Sequence, residues 1–76
     1  MDIAQLHYMA NQIARNLAAG GDDVAIAATA QHLTDFWDPR MKVAILASDH
    51  AALSPIARAA VERLAPIPSR DERPQS

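Results

Sequence analysis

The side chains in this sequence that could do acid-base or metal chemistry are three histidines, His7, His32 and His50, and a scatter of carboxylates. A helical metal site sets two ligands four residues apart so that both face one ion. No histidine here has a His, Cys, Asp or Glu at that spacing, so solvated or capping roles are expected for all three. Carboxylates pair at Asp22-Asp23 and at Asp35 with Asp38. Hydrolytic work would need such a pair in a cleft that perturbs its ionisation, and a short chain has little room for one. Helix capping accounts for Asp22, Asp23 and Asp38 without further assumption. Nucleophilic catalysis is less supported still. The chain has no cysteine, and Ser48, Ser54, Ser69 and Ser76 fall at loop, cap or tail positions with no organised His and Asp beside them. Gly20-Gly21 follows no strand and precedes no lysine, so it is not a phosphate-cradling loop.

What remains is the stretch Phe36-Trp37-Asp38-Pro39-Arg40-Met41, which holds two of the chain's three aromatics. Aromatic rings and arginine are the side chains that anchor protein interfaces, the rings by area and the guanidinium by its planar fork of donors. On a helix, neighbouring side chains point about 100° apart, so a Trp37 that faces inward sends Phe36 to another side. One of the two rings can then plug a core while the other is left for a partner. The third aromatic, Tyr8, lies off the apolar stripe of the first helix, next to Asn11, and suggests a second contact surface. The candidate partner-binding residues are therefore Tyr8, Asn11, Phe36, Trp37, Asp38, Pro39, Arg40 and Met41.

These residues sit on elements that periodicity and punctuation make legible. From Asp2 to about Ala19, Ile3, Leu6, Ala10, Ile13 and Leu17 recur in steps of three and four, the pattern of an amphipathic helix. Gly20-Gly21 should end it in a left-handed cap, with Asp22 or Asp23 capping the next helix. That second helix is expected from about Asp23 to Trp37, with Ile26, Ala30, Leu33 and Trp37 in one stripe and alanines that permit close approach by a neighbour. Asp38-Pro39 bends the chain and starts a third helix, to about Ala47, whose broad apolar arc predicts deep burial. Ser48-Asp49-His50 reads as loop. Ser54-Pro55 opens a last helix carrying Ile56, Ala60, Val61 and Leu64, stopped by Pro66. The result is an all-α, small three-to-four-helix domain over residues 1–65, followed by a proline-rich tail, 66–76, expected to be flexible and disordered.

Composition limits the function classes. With 76 residues, no cysteine and a 50% hydrophobic fraction made largely of alanine, the chain can bury only a modest core. It is expected to be modestly stable alone or completed on another protein's surface. A formal charge of −2, with seven Lys and Arg scattered, offers no basic stripe for nucleic acid. The sequence shows no membrane segment, and its first residues lack the basic and apolar regions of a secretory signal, so a cytoplasmic location is expected.

Three blocks in order carry a resemblance: MANQIARN, then AIAATAQHLTDFWDPRMKVAIL, then LSPIARAAVERL. Together, over about residues 8 to 64, they resemble the delta subunit of the NAD-dependent, molybdenum-containing formate dehydrogenases. The resemblance implies a non-catalytic accessory subunit that supports assembly and stability of its complex. It implies as partners a large alpha subunit with bis-molybdopterin guanine dinucleotide and iron-sulfur clusters, and beta and gamma subunits carrying FMN and further clusters. No cofactor is expected on this chain, since iron-sulfur ligation ordinarily needs cysteine thiolates. Two other readings stay open at the level of sequence: transient handling of the molybdenum cofactor through Arg15, Arg40 or Lys42, and a helical module that self-associates through its exposed aromatic edge.

Overall fold

A computed structural model describes residues 2–64, and all regular structure among them is helical. Four α-helices follow one another: α1 Ile3–Asn16, α2 Asp22–Phe36, α3 Pro39–Ala47 and α4 Pro55–Glu62. Short 3-10 turns at Ala18–Gly20 and His50–Ala52 join the first and last pairs. The chain is thus all-α, as the periodicity predicts. The tail 66–76, its expected flexibility and the stop at Pro66 lie outside the described residues.

Capping fixes where the helices begin. Asp2 opens α1 by accepting the Ala4 N–H at 3.0 Å, Asp38 opens α3 by accepting Met41 N–H at 2.9 Å, and Ser54 opens α4 by accepting Ala57 N–H at 3.3 Å. Pro39 and Pro55 each take the first helical turn, where a missing N–H leaves no bond unmade. The start of α2 corrects an expectation. Its N-cap is Gly21, without a side-chain bond, while Asp22 and Asp23 occupy the first turn. There their carboxylates face the positive end of the helix dipole instead of capping it. α1 also stops sooner than its apolar stripe suggests. Leu17 N–H reaches back to the carbonyls of Ile13 and Ala14, and the backbone tightens into the 3-10 turn before Gly21 reverses it at φ 97°. Gly20 has its own constraint, because a Cβ there would stand 2.9 Å from Val24 Cγ1.

α2 packs most extensively on α4, α1 lies against both, and α3 packs on α1 with a smaller seam to α4. Small residues make the close approach possible. Ala10, Ala14, Ala25, Ala57 and Ala60 are all fully buried, and Leu6, Leu33, Trp37, Ile45 and Val61 fill the space they leave. The buried line on α1 is Leu6-Ala10-Ala14, each four residues from the next, while Ile3, Ile13 and Leu17 flank it half-buried. α3 departs from its expected deep burial. Only Ile45 is fully enclosed, Met41, Ala44 and Leu46 are half-buried, and Val43 is 66% exposed. A nine-residue helix against two neighbours covers one side of its apolar arc and leaves the other open. α4 ends at Glu62, two residues short of Leu64, which is half-buried in the following turn.

Candidate functional site

The junction between α2 and α3 is built by a helix end, one extended residue and a proline start. Phe36 is the last residue of α2, and its ring is 73% exposed. Trp37 leaves the helix with φ −87° and ψ 137°, and that extended step turns its indole into the core, where it is 5% exposed. The two rings separate as the sequence suggests, although a backbone break assists the helical angle. Trp37 N–H still closes on Leu33 O at 3.0 Å. The elbow is pinned again from α3, whose Lys42 Nζ donates to Thr34 O at 2.9 Å, one of the α2 carbonyls that the helix itself leaves without a partner. Asp38 is exposed and spends one carboxylate oxygen on the α3 cap.

Around this elbow the surface is apolar and open. Phe36 rests beside His32, with ring centroids 4.7 Å apart and planes tilted by 38°, a contact that leaves most of the phenyl ring uncovered. On α3, Pro39, Arg40, Val43 and Ala44 line a trough with almost no polar surface. Arg40 is exposed and has no carboxylate within ion-pair distance among the described residues, whereas Arg58 pairs with Glu62 at 3.6 Å. Met41, by contrast, is half-buried against the core.

The first-helix candidates divide. Tyr8 is 61% exposed. Asn11 is spent inside the fold: its Nδ2 donates to Ala52 O at 3.2 Å and its Oδ1 accepts Ser54 N–H at 2.8 Å. It clasps the α3–α4 connection onto α1, a role that its polarity alone does not announce. Beside it, Gln12, Ala14, Arg15, Ser54 and Ile56 line a second groove between α1 and α4.

The histidines turn out to be structural contacts. Ser48 Oγ donates its one proton to Ile45 O at 2.6 Å, so the 2.9 Å contact with His7 Nε2 has the histidine as donor. His50 Nε2 likewise donates to Leu46 O at 2.9 Å, near the end of α3, and its Nδ1 lies 3.7 Å from Glu62. Among the described residues no group of three or more His, Cys, Asp or Glu is placed to hold a metal ion, and no helix is long and apolar enough to cross a membrane.

The arrangement therefore offers surfaces for contact: an exposed ring and an apolar trough either side of a pinned elbow. No curated protein and no solved structure shows significant similarity to the chain. A family model does match, that of the NADH-dependent formate dehydrogenase delta subunit FdsD, over residues 5–61, a span that takes in all of α2 and α3 and nearly all of α1 and α4. With most of its first helix, the elbow and most of its last helix inside that match, the chain belongs to the family of formate dehydrogenase delta subunits.

Proposed function

We propose that this chain is a non-catalytic accessory subunit which docks on the large molybdenum-containing subunit of a formate dehydrogenase and favours the assembled enzyme. By mass action, a protein that binds only the assembled state stabilises that state. The enzyme's bis-molybdopterin guanine dinucleotide, iron-sulfur clusters and FMN then reside on other subunits, the large one and its beta and gamma companions, in the cytoplasm.

One observation carries the reading: Phe36 stands 73% exposed at a junction whose geometry Trp37, Lys42 and Asp38 all fix. A large aromatic ring with few rotatable bonds, carried on a fixed backbone and left uncovered, costs little entropy when a partner covers it. Phe36, Pro39 and Arg40 are the centre of the proposed contact, and Tyr8 belongs to a second. Trp37 and Met41 act from beneath and Asp38 from the surface by shaping the elbow, and Asn11 by fixing α1 to the α3–α4 connection. The cofactor-handling alternative is disfavoured by placement: the α3 trough contains Arg40 alone of the three cations it would use, the α1–α4 groove contains Arg15 alone, and Lys42 is bonded to Thr34.

Affinity purification of the tagged full chain from its own cells tests the reading, with mass spectrometry and formate-dependent NAD reduction on the eluate. Recovery of an active molybdenum enzyme is the expected result, with no turnover by the small chain alone. Isolation of the chain free of any formate dehydrogenase subunit would overturn it.

A further inference from the structure

Two parallel rows of side chains on α3, Pro39 with Val43 and Arg40 with Ala44, run four residues apart along the helix and enclose the apolar trough. Such rows are the ridges by which helices interlock, and the furrow between two of them takes the ridge of another helix at a crossing angle of about −50°. The trough is open because α1 and α4 cover only the Ile45 side of α3, leaving Val43 66% exposed. A strand would find no sheet edge to extend among the described residues, whose regular structure is all helical. α3 carries two cations and no carboxylate, and Arg40 at the rim of the trough has no carboxylate within ion-pair distance among the described residues. Lys42 is drawn to Thr34 O, so Arg40 is the cation left to meet an incoming charge.

From these placements we infer that the trough receives a helix of another formate dehydrogenase subunit, an apolar helix that lays an Ala-, Val- or Leu-bearing ridge between Val43 and Ala44 and presents an Asp or Glu to the Arg40 guanidinium. The inference rests on the subunit reading above and adds to it the class of partner segment and the residue that selects it. Arg40 suits that task because its rigid fork can take both oxygens of a carboxylate while its alkyl stem lines the apolar wall.

The test uses the assembled complex. A photo-crosslinking amino acid is placed at Val43 and, in a separate chain, at the exposed Ala27 of α2, and adducts are mapped by mass spectrometry in tagged complex purified from cells. Expected is an adduct from position 43 to an apolar helical peptide of another formate dehydrogenase subunit that contains an Asp or Glu. Arg40→Glu should then weaken association about tenfold or more, the scale of a charge pair desolvated at an interface, while Arg40→Lys weakens it less. Reversing the partner carboxylate to Arg should restore binding to Arg40→Glu. Adducts from position 43 to a second copy of this chain, to a segment that is not helical, or to nothing while the complex stays intact would overturn the inference and leave the subunit reading standing. Failure of the unmodified chain to co-purify with any formate dehydrogenase subunit would overturn both.

Discussion

Asn11 and Ser54, 43 positions apart in the chain, are joined by a 2.8 Å bond from the Ser54 N–H to the Asn11 side-chain oxygen. The other half of the same amide holds Ala52 O. One side chain thus satisfies a donor and an acceptor of the connection that leads into α4, and so sets where α4 starts against α1. Asn11→Ala removes both bonds and should cost about 1–2 kcal/mol, given that each net hydrogen bond contributes about 0.5–1.5 kcal/mol. Asn11→Asp keeps an acceptor for Ser54 but turns a carboxylate toward the Ala52 carbonyl, and should be no better than alanine. Thermal unfolding of the isolated chain measures both; a loss of about 4–8 °C per kcal/mol is the scale for a domain of this size.

A buried hydroxyl offers the opposite sign. Thr29 is fully enclosed in α2, and its Oγ1 has no hydrogen-bond partner among the described residues. Thr34 on the same helix shows the usual remedy, a bond to the carbonyl four residues earlier, Ala30 O, at 2.8 Å. Thr29→Val exchanges the unsatisfied hydroxyl for a methyl of similar shape and should stabilise the domain by about 1 kcal/mol. Thr29→Ala, which also removes the methyl, should lose that gain to a cavity. Chemical denaturation of the two variants against the parent decides it.

Which parts of this molecule a reader of the sequence can see follows from how local each determinant is. Asp38-Pro39 and Ser54-Pro55 specify helix starts through atoms within three residues, and both starts form as expected. The split of Phe36 from Trp37 is nearly as local, since a helix end and a proline two residues on are enough to turn the rings apart. The exposure of Val43 is different. It depends on how much of α3 its neighbours α1 and α4 happen to cover, which periodicity within α3 cannot tell. The same holds for Asn11, read from the sequence as a surface contact, whose two partners lie beyond α3 and become adjacent only in the fold. The capping of α2 by Gly21 instead of by Asp22 or Asp23 shows a third limit. Several residues in a row were acceptable caps, and the path of the turn out of α1 chose among them.

Gly21 carries that turn at φ 97° and ψ 167°, a region nearly reserved for glycine that costs a residue with a side chain about 1–3 kcal/mol. A Cβ there meets nothing within 4 Å, so the penalty for Gly21→Ala is that of the backbone alone. At Gly20 the backbone is ordinary, and the cost of Gly20→Ala comes from Val24 Cγ1 at 2.9 Å. Gly20→Ala should therefore be rescued in combination with Val24→Ala, whereas Gly21→Ala should not. A double-mutant cycle by thermal unfolding reads the difference directly.

Consecutive residues at the elbow should separate stability from association. Trp37→Ala empties the core of its largest ring and should cost about 3–5 kcal/mol, a large fraction of what a domain this small possesses. Release of that variant from the complex would therefore say little about where the partner sits. Phe36→Ala removes a ring that is 73% exposed and in contact with His32, so the isolated domain should change by less than about 0.5 kcal/mol. Against the partner the ring is expected to matter most, and its loss should weaken association by about tenfold or more, as truncated aromatic anchors do. Measured together, unfolding midpoints and retention in the purified complex distinguish the two roles. A Phe36→Ala chain that unfolds like the parent and also stays bound like the parent would remove the elbow from the docking surface and direct attention to Tyr8.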